Sequence, residues 1–446
     1  MIKVEGEKEK MKRMRILNYL GLSLCSLFIL ILCSGEVLAM DLPKVIDKTN
    51  CSQYKDLLIP AMYRAVEKGD YVVTPGKLNF KYKQNDSFIE ASAKNEGKFD
   101  LTAEGDLISK STGKYPENVY GYPFPKIDIK DPKAASKIIY NFNFQRYRLM
   151  CTKDKIRVMW INPNGEERYV AGMDHRLYMN GRPPGQDIKN PDKVLTYEFQ
   201  RVLEPMSTRG TNTMSYIYMD ERDNTNYAYV PAIRRMRQTT STARSDPYMG
   251  SDAWMDTNYM WGGKDRSMKW KYVGEKTILA SFTSPNMLPA QASPDGKMLR
   301  VFPFSGPSIP FGFQNPNWKG AAWAPQNITY VPRKVWVIEQ MPKDPYYNWG
   351  LHINYIDQET FTIWYKEVHE KSGDFRTWIT FLVHYSEDPS GRNNTGDHDT
   401  QLYIDEKARH ASSTNRSFDP ESFLFIPASE LNASFYGVNN FLLLSK

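Results

Sequence analysis

Apolar and polar residues alternate from 77 to 82, with Leu78, Phe80 and Tyr82 on one side, the period-two pattern of a half-buried strand. The pattern returns at residues 156–161 and 168–171, joined by Asn162-Pro163-Asn164-Gly165, which predicts a hairpin around a tight polar turn. A second hairpin is predicted from residues 214–219, through the polar stretch 220–226, into residues 227–231. Residues 334–340, 350–356, 360–368 and 377–385 read as strands punctuated by Asp, Gly and Pro, and consecutive strands with short links make an antiparallel meander. Helical spacing is confined to two stretches. Residues 52–68 place Leu57, Leu58, Ala61, Met62, Ala65 and Val66 on one side, with Pro60 as a kink and Gly69 as a stop. The other opens on Asp131 as cap and Pro132 at the first position, carries Ala135, Ile138, Ile139 and Phe142 along one side, and is expected to fray at its Asn-rich end. Residues 284–326 are rich in Pro, Gly, Phe and Trp and have little period. They read as a crossing loop or lid within one continuous sheet, with a linker between subdomains as the alternative.

The N-terminus has a different pattern. Lys12, Arg13 and Arg15 precede an apolar stretch, residues 16–33, followed by Val37-Leu38-Ala39, the layout of a secretory signal peptide cleaved after Ala39. An uncleaved membrane anchor is the competing reading, against which Asn18 and Tyr19 shorten the apolar run. Cys25 and Cys33 each follow a Leu, which disfavours lipid attachment there. The expected organisation is a signal peptide, residues 1–39, and a single β domain, residues 40–446, outside the cytoplasm.

Residues 1–39 hold six of the 58 Lys and Arg and four of the 51 Asp and Glu, which leaves 52 against 47. This balance is too mild to imply a nucleic-acid partner, which asks for a concentrated basic face. Cys51 and Cys151 are the cysteines left after residue 39; in an oxidising compartment they pair or stay as buried thiols. The aromatic content of 13% is high, and all ten tryptophans follow the signal segment, in keeping with pleated sheets.

The densest block is Tyr227-Ala-Tyr-Val-Pro-Ala-Ile-Arg-Arg-Met-Arg237, then Ser245-Asp-Pro-Tyr-Met-Gly-Ser-Asp252, Trp254, Asp256, Trp261, Trp270 and Tyr272. Around it, in order, stand Gly121-Tyr-Pro-Phe-Pro125, Arg146-Tyr147-Arg148, Trp270-Lys-Tyr-Val-Gly-Glu-Lys276, Arg333-Lys-Val-Trp-Val-Ile-Glu339 and Tyr355-Ile-Asp-Gln-Glu-Thr360. Together these blocks resemble an exported family of unknown function described as outer-membrane lipoprotein-sorting-like, similar to the LolA and LolB lipoprotein carriers. The resemblance implies a mainly β fold: a strongly curved, incompletely closed antiparallel β-barrel with a few helices and a long loop or lid. It also implies a hollow face that binds an acyl chain or other hydrophobic ligand, a periplasmic home, and transient contact with a membrane or an exporter.

The candidate ligand-binding residues are Tyr216, Tyr218, Tyr229, Trp254, Trp261, Trp270, Trp336 and Trp364, with Arg234, Arg235 and Arg237. Aromatic interiors make adaptable apolar pockets, yet the same side chains can simply fill a core. Strand alternation puts Arg234 and Arg235 on opposite sides and Arg237 beside Arg235. Two guanidinium groups on one side suit a carboxylate or phosphate head group; alternatively the arginines pair with Asp246, Asp252 and Asp256.

Signs of enzyme chemistry are sparse. The six histidines show no metal-ligand spacing, no Ser stands in a Gly-x-Ser-x-Gly elbow, and Gly262-Gly263 and Gly320 have no phosphate-loop context. Asp397-His398-Asp399, after Asn393-Asn394-Thr395-Gly396, reads as a solvated turn rather than a metal site. No cofactor or metal is implied. The expected function is a non-catalytic periplasmic carrier or chaperone for a lipid, lipoprotein acyl chain or other hydrophobic ligand. The alternative is a carbohydrate-binding or structural cell-envelope protein, which would need its tryptophans exposed in a flat row.

Overall fold

Short polar turns between alternating runs favour antiparallel neighbours, and the fold is built from them. The structure, a computed structural model, describes residues 41–239, 244–292, 299–301, 310–387, 394–415 and 432–445. The predicted signal peptide lies outside the described residues.

Strands β1 (Phe99–Leu101) and β2 (Leu107–Ser109) form a small ribbon of their own. The remaining strands are β3 (Cys151–Asn162), β4 (Gly165–Tyr178), β5 (Val194–Glu204), β6 (Asn212–Tyr218), β7 (Thr225–Val230), β8 (Arg235–Thr239), β9 (Met268–Phe282), β10 (Leu288–Ala292), β11 (Leu299–Val301), β12 (Thr329–Pro342), β13 (His352–Asp357), β14 (Ile363–His369), β15 (Phe375–Glu387), β16 (Asn394–Asp405) and β17 (His410–Asn415). They make one sheet in the order β14-β13-β12-β9-β15-β16-β17-β3-β4-β5-β6-β7-β8, with β10 and β11 attached beside β15.

Strand β14 also returns to pair with β15, so β9 and β12 to β15 curl into a ring. Its seam is a single parallel pair, Val383 with Phe282, and the rest of the sheet stays open. The incompletely closed, curved β architecture expected from the family resemblance is the one found. The ring interior is filled: the Tyr365 hydroxyl on β14 donates across it to the Leu279 carbonyl on β9 at 2.8 Å, and Trp378 packs against both Tyr365 and Tyr71. At the bulge between Ala171 and Gly172, a Cβ on Gly172 would lie 1.9 Å from the Arg201 carbonyl oxygen, so only glycine lets β4 and β5 approach there.

Both predicted hairpins form, as β3-β4 and β6-β7, and the meander runs through β12, β13, β14 and β15. Residues 77–82 correct the reading: they form no strand. Phe80 and Tyr82 instead lay their rings against Tyr385 at 5.8 and 4.8 Å, so their alternation serves side-chain packing. Pro60 does not kink a helix but begins one, α1 (Pro60–Glu67), after a 3-10 turn at Cys51–Leu57. Leu58 and Ile59 are extended, because the residue before a proline avoids the helical region while proline suits a helix start.

A helix that the sequence reading did not foresee, α2 (Asp86–Asn95), follows. Helix α3 (Ala134–Tyr147) starts later than expected, the Asp131 carboxylate accepting from the Lys133 amide. Its Asn-rich end is not frayed. Asn141 exchanges two hydrogen bonds with the Phe124 backbone, and Asn143 donates to the Asp265 carboxylate at 3.2 and 3.3 Å. Cys51 and Cys151 are both buried, with no disulfide between them. Residues 397–399 lie within β16 rather than in a turn.

The chain ends in α4 (Val438–Leu444), which covers one face of β5 to β7. Tyr197, Phe199, Met214 and Tyr229 on that face cluster with Tyr436 and Phe441. In the region between β9 and β12, Phe311 and Trp323 are buried; residues 293–298 and 302–309 lie outside the described residues.

Candidate functional site

Register assigns the two faces of the open sheet. Arg176 faces Glu198, which faces Ser215, which faces Asn226; one layer along, Asp174, Gln200, Thr213, Ala228 and Arg237 stand in line. This polar face is opposite the aromatic one buried under the C-terminal segment, and residues 244–267 cover it.

The cover is anchored by polar bonds to the sheet. Lys366 on β14 donates to the Met260 carbonyl and to Gln340. On β16, Gln401 and Tyr403 both donate to the Thr257 carbonyl, at 2.6 and 3.2 Å. Tyr259 and Met260 take left-handed backbone angles, turning the cover so that Trp261 buries completely. Burial moves the titrating groups here: Lys366 falls to about 7. Burial likewise raises Asp265 to about 7, against the opposing pull of hydrogen bonds from Trp261 and Asn143.

A cavity of about 280 Å³ remains under the cover. Ile217, Ala228, Tyr248, Met249 and Met255 supply apolar walls, with Thr213 and Ser215 at the sheet. Glu198 and Gly262 border both this cavity and a polar pocket reaching Arg146, Lys264 and Arg266. Asp106, Tyr115, Met219 and Asp220 in turn border both that pocket and a cleft of about 900 Å³, so the three spaces adjoin. Buried Arg176 lies between Asp174, at 2.8 Å, and Glu198, at 3.2 Å. Burial raises the Glu198 carboxyl, and the Arg176 charge opposes that shift. Lys264 is lowered to about 8 by burial, partly offset by Asp220.

The predicted aromatic residues are dispersed. Trp364 is fully buried and donates to Asp357; Trp336 packs on Phe361 at 5.4 Å. Trp261 and Trp270 meet edge to face and donate to the Asp265 carboxylate and backbone carbonyl respectively. Tyr216 donates to the Tyr436 carbonyl, and Tyr229 lies in the C-terminal cluster. Trp254 donates to Tyr347 and borders a small cavity beside Asp174, while Tyr218 borders the polar pocket.

Of the arginines, Arg235 and Arg237 do share a face, paired across from Val230 and Ala228, and Ala228 lines the 280 Å³ cavity. Arg234 departs from the strand reading. It closes the 3-10 turn Pro231–Ile233 in the left-handed region, φ 50°. The expected acid partners are engaged elsewhere: Asp246 accepts from Asn348, Asp252 from His410 and Ser412, and Asp256 lies 3.7 Å from Arg244. The sequence reading missed the covering segment and the polar face. Ser215 and Ile217, alternating with Tyr216 and Tyr218, carried that signal, as did a C-terminal Phe435-Tyr436 and Phe441-Leu442 in need of a sheet face.

Among the described residues no group of three or more His, Cys, Asp or Glu could hold a metal ion, and no helix is long and apolar enough to cross a membrane.

The chain has no match among curated proteins. Solved structures similar to it include a domain from Vibrio parahaemolyticus named for outer membrane lipoprotein sorting, 12% identical over 70% of this chain and 97% of that one, with a TM-score of 0.46. A DUF1329 family protein from Desulfovibrio piger is 8% identical over 71% of this chain and 100% of that one, TM-score 0.46. A LolA superfamily protein from Nitrosomonas europaea is 8% identical over 69% and 98%, TM-score 0.39. Residues 45–436 match the model of a family described as "Protein of unknown function (DUF1329)", a span that takes in the Tyr227 to Arg237 block, the covering segment and the meander. The chain belongs to the DUF1329 family.

Proposed function

We propose that the protein is a periplasmic carrier that buries the apolar part of a lipid, lipoprotein acyl chain or similar molecule under residues 244–262 and holds its acidic head group at Arg235 and Arg237. It works by burial and release, without covalent change. The observation that carries this reading is a cavity of about 280 Å³ with Ile217, Ala228, Tyr248, Met249 and Met255 in its wall, beside two exposed arginines, close to the lower bound of about 300 Å³ common for small-molecule sites. Among the described residues no carboxylate lies within ion-pair distance of Arg235 or Arg237, so both are available to an anion. The glycan-binding alternative asks for an exposed row of tryptophans; all ten are buried or half-buried, which favours the carrier.

Native mass spectrometry with lipid extraction, on protein purified from the exporting cell, tests the reading. A stoichiometric acyl-bearing molecule is expected, and an apo mass that persists after incubation with lipid extract would overturn it. Two variants locate the ligand. Ala228→Phe, which fills the cavity, should release the molecule while leaving the circular dichroism spectrum unchanged. Arg235→Ala with Arg237→Ala should weaken an anionic ligand at least tenfold, since hydrogen bonds to charged groups contribute about 1.5–3 kcal/mol each; undiminished binding would remove the arginines from the site.

A further inference from the structure

Three segments meet at one corner of the sheet: the β5-β6 turn, the 3-10 turn after β7, and the last turn of α4. Gly210 fixes the junction. A Cβ placed there would lie 3.1 Å from the Ser445 carbonyl oxygen and 3.3 Å from the Pro231 ring, and its φ is +84°. Arg201 and Asn212 both donate to the Leu444 carbonyl, at 3.4 and 3.2 Å, which ties the helix end to β5 and β6.

From this rigid corner long apolar side chains stand out into solvent. Met206 is 75% exposed, Leu443 70%, Ile233 45% and Val230 36%, four of the ten large hydrophobic residues exposed among the described residues. Around them are four exposed arginines: Arg209, whose guanidinium touches the Met206 sulfur, and Arg234, Arg235 and Arg237. Residues 204–211, 230–237 and 438–445 contain one carboxylate, Glu204.

We infer that this corner docks onto an anionic bilayer surface, Met206, Ile233 and Leu443 entering the boundary between head groups and acyl chains while Arg209 and Arg234 pair with lipid phosphates. Isolated apolar tips within a cationic surround fit an interface whose outer layer is negative and whose interior is apolar. Exposed large apolar residues that gather in one place, rather than scatter, mark an interaction surface. Placement agrees: Val230 is the cross-strand neighbour of Arg235, and Arg237 of Ala228, so the docked corner adjoins the open edge of the ligand cavity.

The proposal deepens the carrier reading, naming the surface from which cargo is loaded or to which it is delivered, but its test is separate. The protein purified from the exporting cell is sedimented with vesicles of phosphatidylcholine alone or mixed with phosphatidylglycerol. Binding is expected to the anionic vesicles and to fall steeply with salt. Met206→Asp with Leu443→Asp should weaken it more than tenfold, and Arg209→Ala and Arg234→Ala about fivefold each. The fold, followed by circular dichroism, and the bound cargo, followed by mass spectrometry, should be unchanged. Equal binding to both vesicle types, or anionic binding that survives the double Asp substitution, overturns the proposal. So does absence of vesicle binding; if Met206 or Leu443 then cross-links to a protein of the envelope, the corner belongs to that protein instead. An unsubstituted protein that holds cargo yet binds no vesicles refutes the docking alone, and vesicle binding by a protein that never holds cargo refutes the carrier alone.

Discussion

Asp357→Ala should destabilise the protein by about 3–5 kcal/mol, the scale set by removing one partner from a buried ion pair, and lower the urea midpoint accordingly. Asp357 at the end of β13 is completely buried. Its two oxygens accept from Arg333 Nε and Nη2 at 2.7 and 2.9 Å, from Trp364 Nε1 at 2.9 Å, and from the backbone amides of Glu359 and Thr360, each at 2.9 Å. Truncation strands the indole N–H in the core and leaves Arg333 with Glu359 alone. Asp357→Asn should lose nearly as much, because an amide turns a donor toward Arg333 or Trp364; a near-neutral Asn variant would show that shape rather than charge matters here. Burial pushes the Asp357 carboxyl up, but hydrogen bonds and charge from Arg333 prevail and hold it below the usual carboxylate value of 3.8. Its contribution is therefore present above pH 3.8 and disappears as the pH falls through the lower, folded-state value.

Asp265 should respond to pH in the opposite sense, and Lys366 in the same sense but at higher pH. Asp265 titrates near 7 in the folded protein and at 3.8 unfolded, so between those values the folded state holds the extra proton and stability falls as the pH rises. Lys366 titrates near 7 folded and at 10.5 unfolded. In that window the unfolded state holds the extra proton, and stability rises with pH. Together they put a dip near neutrality beneath the covering segment. Asp265→Asn keeps an acceptor for the Trp261 N–H and removes the acid limb. The variant, matched to the parent at pH 5, should exceed it at pH 8 by about 3 kcal/mol, at about 1.4 kcal/mol for each pKa unit between pH 5 and the folded-state value. Urea midpoints at the two pH values measure the difference; parallel pH profiles for parent and variant would show that Asp265 is ionised in the folded protein throughout.

The sheet was legible where local turn chemistry decides it. Asn162 to Gly165 can do little but reverse the chain, and the Asp, Gly and Pro punctuation after residue 334 leaves each strand next to its successor. Where a side chain goes once a strand exists was less legible. Leu78, Phe80 and Tyr82 alternate as a strand does, yet no partner strand approaches, and the aromatic pair packs on Tyr385. For β6 the alternation separated Tyr216 from Ser215 correctly. It could not say which face holds a ligand, because the cover over the aromatic face comes from residues more than 200 positions later. Lys366 and Gln401 look solvent-facing in sequence; they are buried because the carbonyls of Thr257 and Met260 meet them. The shared side of Arg235 and Arg237 followed from strand periodicity, whereas the left-handed turn at Arg234 depends on the Pro231 turn before it.

The position of β17 has a consequence for timing. It lies between β16 and β3, so residues 151–162 gain their second neighbour only when residues 410–415 arrive, and the aromatic face of β5 to β7 waits for residues 433–445. A chain that appears N-terminus first therefore carries an unpaired strand edge and an uncovered aromatic surface through most of its synthesis. Such surfaces invite wrong partners, and pairings this distant in sequence form slowly. The sheet is therefore completed by its last strands, and its first half stays open to wrong pairing until they are free.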